Sequence, residues 1–546
     1  MKIKYKIIPM VIISLLLLGC STKEEIKEDV KEEIKLPEEK PAKPEKGGEL
    51  KISINDPIIL NPILNNDESI DQFLKLIYEP LFYLDENNQP IANLVEDFQY
   101  VADGTLLNIK LKEDSLWQDG EKLTSKDVIF TLDTIKSAPD NTMYKKSLEN
   151  IAYYKVIDEF NLKVGLKQPY SGMKSAFCFP ILPKHYYKGS NILEDVNNQK
   201  PLGNGRYKFV NYIQMKEINL VVNENWFGGN QYIEKIKAII TRNDEAKSEM
   251  LNQKLIDLLF INNLDVGKYL SDENFTVKKF DTNYYDFLGF NFENNLLDNQ
   301  VIRQAIAYSL NRDSIINDLF LGFGEIVDTP IKPNSQTVEG DTSLNYSYDL
   351  TKAKTLLVEN EWSDSNNDGI LDKVIDGTIR DLSFDLLVNE SNVNRVRVAE
   401  FIKKDLKQIG IEIKLDTIEN NVLNEKLKSG DYDIILGGWR LSPILDFTFA
   451  FGSKSIETGT NFINYNSSKM DSLLNNAFVS FKDKDIVTSY NELSKYIKED
   501  LPYVSLYFRK NAVISNQTLK GELQPNSFFK YNGIENCYIE EKVKID

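Results

Sequence analysis

This sequence predicts an α/β chain folded as more than one body, and three observations carry that expectation. At 546 residues the chain exceeds what a single hydrophobic core ordinarily serves, so two or more lobes are expected. From Ser383 to Leu415 it reads as strand, helix and strand. Ser383 to Val388 precedes a helical pattern over Arg397 to Gly410 (Val398, Phe401, Ile402, Leu406, Ile409), and Ile411 to Leu415 alternates behind it. That order marks a parallel sheet. From Thr105 to Ile135 another strand and helix follow one another. Leu107, Ile109 and Leu111 alternate with polar residues, and Gln118-Asp119-Gly120 turns the chain. Thr124 then has the spacing of an N-cap with Asp127 at N3, ahead of Val128, Ile129, Leu132 and Ile135 at helical intervals.

Composition narrows the class. The chain is 42% hydrophobic and 11% aromatic, with 27 Tyr and 28 Phe, enough for large cores and aromatic-lined surface. A formal charge of −18 argues against nucleic acid, whose phosphates call for clustered Lys and Arg. It argues equally against attraction to anionic lipid headgroups.

In chain order, Met1 to Cys20 has the form of an export signal. Lys2, Lys4 and Lys6 precede an apolar run, Ile7 to Leu18, too short to span a bilayer. Leu17-Leu18-Gly19-Cys20 resembles a bacterial lipobox. That resemblance implies cleavage before Cys20 and a diacylglyceryl group on its sulfur, each buried CH₂ contributing about 0.8 kcal/mol to anchoring. An uncleaved membrane helix is the alternative. Ser21 to Lys46 is rich in Glu, Lys and Pro, with too few apolar residues for a core, and reads as a disordered tether.

The folded body starts near Gly47. Glu49 to Ile54 alternates as a strand, Asn61-Pro62 sits in the following loop, and a helix from about Ser69 carries Phe73, Leu74, Ile77 and Tyr78 into Glu79-Pro80-Leu81. Leu111, Lys112, Trp117, Asp119, Gly120, Thr124, Asp127, Val128 and Phe130 then fall on a long pattern. It resembles the signature of the extracellular solute-binding proteins of the peptide/nickel type, family 5. Further segments resemble the same family. Ile181 to His185 matches its I-[LI]-P-K-H wording, and Pro201 to Phe209 its P-[VI]-G-[TS]-G-P-Y segment, with Arg206 where Pro is usual. Val301 to Ile306 with Leu310-Asn311-Arg312 matches V-R-x-A-[IL] and [ND]-R, Tyr348 to Trp362 a helical segment, and Leu501 to Tyr507 a late strand.

The resemblance covers Gly47 to about Tyr531 and implies a two-lobed periplasmic-binding-protein type II (Venus-flytrap) fold with mixed sheets. It divides the chain into a leader (1–19), a tether (20–46), lobe I (47–284 and 506–546, with an inserted subdomain about 79–174) and lobe II (285–505). The implied function is ligand capture between closing lobes and delivery to the permease subunits of an ABC importer. Oligopeptides are the first expectation for the cargo. A nickel chelate, a sugar or another small solute, or a peptide-sensing or adhesion lipoprotein uncoupled from transport, are the alternatives. The expected protein is a monomer without cofactor or nucleic acid, lipid-anchored on the outer face of a Gram-positive-type membrane.

Peptide binders of this family hold the backbone as a sheet edge does. Their best-known anchor is an Asp three residues after the Trp of the segment here read as Gly438-Trp439. Ser442 stands at that position, and a neutral hydroxyl adds no charge pairing to an α-amino group. Asp446 lies four residues further on and substitutes only if the loop differs in shape. Arg440 faces either a ligand carboxylate, through its bidentate fork, or solvent. Trp439 either stacks on ligand or packs in the core between lobes. The expected ligand-binding set is thus Asn61, Gly438, Trp439, Arg440, Ser442 and Asp446.

Little else suggests chemistry. The chain lacks G-x-S-x-G, a phosphate loop and G-x-G-x-x-G, and its single histidine, His185, excludes HExxH and histidine clusters. Ser171 to Lys174 fits S-x-x-K without a K-T-G partner. The expected protein is therefore not an enzyme. Asp364, Asn366, Asp368 and Asp372 have the spacing that opens a calcium loop, with Ile375 in place of the twelfth-position Glu, and read as a solvated turn or a weak calcium site. Cys178 and Cys537 read as two buried thiols or as an exported protein's disulfide.

Overall fold

The computed structural model describes residues 44–85, 88–187, 191–229, 231–262, 266–332 and 344–540. The leader, Cys20 and the tether through residue 43 lie outside them. No described helix is long and apolar enough to cross a membrane.

Three main sheets carry the architecture. In the first, strand Gly47–Ile54 pairs in parallel with Ile233–Ile240, which continues antiparallel to Glu217–Val222 and Tyr207–Ile213. The second is an antiparallel sheet of Val95–Val101, Leu106–Leu111, Asn161–Leu166 and Ile151–Val156. The two share one apolar core, in which Leu50 and Ile52 of one belong with Leu107, Ile109 and Val164 of the other. The third sheet is mixed. Strands Ser383–Asn389 and Glu412–Ile418 pair in parallel, as the strand–helix–strand reading requires, and Ile434–Arg440 joins in parallel to Ser383–Asn389. Separate cores cover its two faces, one holding Leu386, Ile402 and Leu406 and the other Phe287, Ile435 and Tyr503.

Two long antiparallel strands, Phe275–Phe290 and Tyr503–Asn516, run from one lobe to the other. Val513 sits in the first lobe's core, while Tyr503 and Tyr285 sit in the second's. Their ladder is interrupted between Asp281 and Tyr285, as a bulge bends a strand where its pairing must change direction. Thr282 Oγ1 donates to the Arg509 carbonyl at 2.6 Å, and Asn283 donates from its backbone to Ser527 Oγ at 2.8 Å. Asn283 also exchanges hydrogen bonds with Leu441, side chain to carbonyl one way and carbonyl to N–H the other. The crossover is thereby tied to the Leu441 loop. Just beyond, the buried carboxylate of Asp286 takes Arg395 at 2.8 Å and Arg509 at 2.6 and 2.7 Å.

The Thr105–Ile135 signature forms the predicted elements and its residues explain their identities. Strand Leu106–Leu111 and helix Ser125–Ser137 flank the turn, and the Asp127 carboxylate accepts the Thr124 N–H at 2.8 Å, closing the capping box. Its other oxygen accepts from Lys184 N, and Thr131 Oγ1 accepts from Leu182 N at 2.9 Å. The helix therefore holds the Ile181–His185 segment in place. Gly203 and Gly205 answer a close approach: a Cβ there would meet the backbone of Ile77 at 2.0 and 2.6 Å. Helix boundaries differ from the periodicity where caps decide them. The predicted 397–410 helix spans Val393–Lys407, because Asn392 caps Arg395 N and Gly410 takes a φ of +79° at the other end. The helix near Ser69 stops at Leu74, because the carbonyls of Leu76 and Ile77 are taken by Tyr207 N and Gly205 N.

Candidate functional site

A cavity of about 690 Å³ lies between the lobes. One wall comes from helix Glu68–Leu74 and the chain just after it (Asp71, Lys75, Tyr78, Glu79), with Tyr144, Arg206 and Trp226. The facing wall is the loop Arg440 to Ile444. Asn283, Leu441, Ser442, Pro443 and Phe528 also line a small adjoining chamber beside Ser171, Phe481 and Tyr490. Aromatic rings line both chambers, among them Tyr83, Phe179, Phe227 and Phe529 in the larger one. Apolar walls with a few fixed polar groups are the usual build of a small-ligand site.

Buried ion pairs hold the first wall. Glu79 accepts from Asn93 Nδ2 at 2.9 Å, Trp226 Nε1 at 2.9 Å and Arg206 Nη1 at 3.0 Å. Burial pushes its carboxyl above the ordinary value, against the pull of Arg206, Asn93 and Trp226. Arg206 lies 4.6 Å from the Trp226 ring centre and 5.4 Å from that of Phe529, and its Nε faces Glu535 at 3.4 Å. Asp71, also buried, takes Lys75 Nζ and the Tyr144 hydroxyl, both at 2.6 Å. Burial and the Asp71 charge raise the Tyr144 phenol well above its usual range, so it remains a donor.

Two rims bridge the lobes. At one, Ser171 N donates to the Phe478 carbonyl at 2.8 Å, the Tyr170 and Phe478 rings lie 4.6 Å apart, and Lys174 faces Asp483 at 3.4 Å. At the other, Arg440 Nη1 meets Glu68 Oε2 at 3.1 Å, and Lys530 holds the second oxygen at 3.2 Å. Burial raises the Glu68 carboxyl, but Lys530 and Arg440 outweigh it and the net shift is downward. A carboxylate held below its ordinary pKa of about 4.3 stabilises the folded, bridged state at neutral pH. That contribution, about 0.2–1 kcal/mol for a pair this exposed, is lost as pH falls through the lowered value. Thermal unfolding between pH 7 and pH 3 should therefore show a steeper acid decline in the wild type than in Glu68→Gln.

The sequence-derived set divides. Arg440 and Ser442 line the main cavity, and Ser442 lines the small chamber as well. Ser442 Oγ accepts from Ile444 N at 3.1 Å. Trp439 packs in the second lobe's aromatic core instead, 5.0 Å from Phe449, 5.6 Å from Phe462 and 6.1 Å from Phe287. Gly438 lies under Arg395, where a Cβ would meet Nη2 at 1.9 Å. Asp446 caps Thr448 N at 2.9 Å. Asn61 is fully buried and staples its own loop, donating to Asn198 and accepting from Ile63 N. None of these four lines either chamber. The sequence carries no local signal for Glu79, Asp71 and Tyr144, and it marks Arg206 only as a departure from a motif.

The 364–372 loop spends its oxygens on itself. Asp364 accepts from Asp368 N and Gly369 N, Asp368 accepts from Ile370 N, and Asp372 turns to Ser365. Among the described residues no group of three His, Cys, Asp or Glu is placed to hold a metal ion. Cys178 and Cys537 are free thiols, each pushed up to about 12 by burial, and Cys178 sits in the cavity wall. His185 pairs with Asp119 at 2.9 Å, outside the site.

Residues 89–456 match the family model described as bacterial extracellular solute-binding proteins, family 5 Middle. The chain is 30% identical over 521 residues to the oligopeptide-binding protein AppA of Bacillus subtilis, covering 92% of each. It superposes on the structure of that protein in complex with a nonapeptide with a TM-score of 0.64 at 27% identity, covering 91% of this chain and all of that one. A second likeness is to NikZ of Campylobacter jejuni in complex with Ni(L-His), with a TM-score of 0.66 at 25% identity over 90% of this chain and 99% of the other.

Proposed function

We propose that this chain, which belongs to the bacterial extracellular solute-binding proteins of family 5, captures oligopeptides between its lobes and delivers them to the permease of an ABC importer. The interlobe cavity of about 690 Å³ carries the reading, walled by aromatic rings and buried ion pairs. Likeness over nearly the whole chain to AppA, an oligopeptide-binding protein, supports peptides as the ligand class. Ligand contacts made to both lobes exist only when they are closed, so binding favours closure. Ser442, which lines both chambers, brings no charge, so α-amino recognition at this position rests on hydrogen bonding alone. We place lobe I at 47–284 and 506–546 and lobe II at 285–505, in keeping with the separate cores on either side of the crossover. Lipidation at Cys20 would keep the protein at the outer face of the membrane as a monomeric receptor without enzymatic activity.

Denaturing release followed by mass spectrometry should recover peptides from the purified protein. Thermal shift against a peptide set should then raise the melting temperature by several degrees, since a ligand at a hundredfold excess over its Kd adds about 2.7 kcal/mol. If a metal chelate or a sugar raises it and no peptide does, the peptide reading fails.

A further inference from the structure

A second large cavity, about 520 Å³, lies beside the first and is lined by Ser69, Asp244, Lys247, Lys268, Tyr284 and Asn511 among others. Its lining is mostly polar, whereas that of the main cavity is mostly apolar. The two are neighbours, because Gln72 lines both. Arg440 lines the main cavity, whereas Glu68 and Lys530 line the second. The ion pair between Arg440 and Glu68, at 3.1 Å, therefore stands at the boundary between them. Gln72 supports that boundary: its Oε1 accepts from Lys530 N at 2.7 Å and its Nε2 donates to the Phe528 carbonyl at 3.1 Å. Arg440 also lies 5.8 Å from the Tyr284 ring centre, on the second cavity's side.

We propose that the Glu68–Arg440 pair is a removable partition that sets the length of ligand this site accepts. The proposal rests on the peptide reading above. Closed, the pair confines a ligand to the main cavity. Each further residue adds about 3.3–3.6 Å of extended chain, and the polar second cavity is the space beyond the partition. The partition suits this role because it is half-exposed, with relative side-chain exposures of 42% for Arg440 and 32% for Glu68. Such pairs contribute little to stability and separate easily. The groups released are those a peptide terminus can satisfy. In Glu68→Gln and Arg440→Ala alike, Lys530 remains beside the second cavity, free to turn to a carboxylate. Arg440 is thus a specificity-determining residue for ligand length.

Kd values for alanine-based peptides of roughly three to nine residues, each carrying one tyrosine, test this on the full chain by calorimetry. Glu68→Gln and Arg440→Ala should improve binding of the longest peptides relative to the shortest by about tenfold compared with wild type. The length ratio separates a partition from a latch, because a latch that merely favours closure shifts all lengths alike. Lys174→Ala, which removes the ion pair at the opposite rim, serves as the latch control and should leave the ratio unchanged. Peptide binding with an unchanged ratio in both partition variants overturns the partition alone. If wild type binds no peptide of any length, the peptide reading falls and this proposal with it.

Discussion

Arg206→Ala destabilises the protein by about 3–5 kcal/mol, the range expected when one partner of a buried ion pair is removed. Glu79 is 4% exposed and keeps two neutral donors, Asn93 and Trp226, after the guanidinium is gone. It loses its one charged partner at 3.0 Å, and Trp226 and Phe529 lose the cation between them. The loss depends on pH in a stated direction. Burial already raises the Glu79 carboxyl, and Arg206 is the largest opposing influence. Without it the carboxyl rises further, so the folded state holds a proton that the unfolded state releases. A raised carboxyl pKa means stability is retained at low pH and lost as pH rises through the folded value. The cost of Arg206→Ala should accordingly be smaller at pH 5 than at pH 8, and Glu79→Gln in the same background should recover part of it. Urea unfolding of the ligand-free protein at both pH values measures this. A cost below about 1 kcal/mol at pH 8 would show that the pair does not organise the cavity wall.

That pair illustrates what the sequence could and could not disclose. Local features were legible because their causes are local. The capping box at Thr124 and Asp127 spans four residues, and the helix Gln300–Ser309 shows its apolar face at helical spacing behind Asn299, its cap. The parallel strands around the helix Val393–Lys407 were legible for the same reason. The site was not, since its wall joins residues far apart in the chain: Arg206 reaches Glu79 across 127 positions and Trp226 reaches it across 147. No spacing rule connects them. The only trace was Arg206 standing where the related motif has proline, a substitution whose meaning needed Glu79, Glu535, Trp226 and Phe529 in view. Asp446 and Asn61 illustrate a related ambiguity. A polar residue in a loop is as useful to its own backbone as to a ligand, and both accept backbone hydrogen bonds here, from Thr448 N and Ile63 N.

Trp439 carries the second large effect, on stability and not on binding. Its ring meets Phe449 edge-on at 5.0 Å and lies within 6.1 Å of Phe287, which stacks on Tyr503 at 3.9 Å. Truncation to alanine removes the centre of this cluster, and Trp→Ala changes in cores cost about 3–5 kcal/mol. Because Trp439 is partly exposed, the lower end of that range, about 3 kcal/mol, is expected for Trp439→Ala. Arg440 to Ile444 line the main cavity instead, one residue along the same chain. Peptide affinity of the folded variant should therefore stay within about threefold of wild type, under about 0.7 kcal/mol. Urea unfolding and calorimetry on one preparation separate the two quantities. A large loss of affinity with unchanged stability would reverse the assignment and return Trp439 to the ligand. Along the strand Ile434–Arg440 alternate side chains point to opposite faces, which sends Trp439 into the aromatic core and leaves Arg440 beside the cavity.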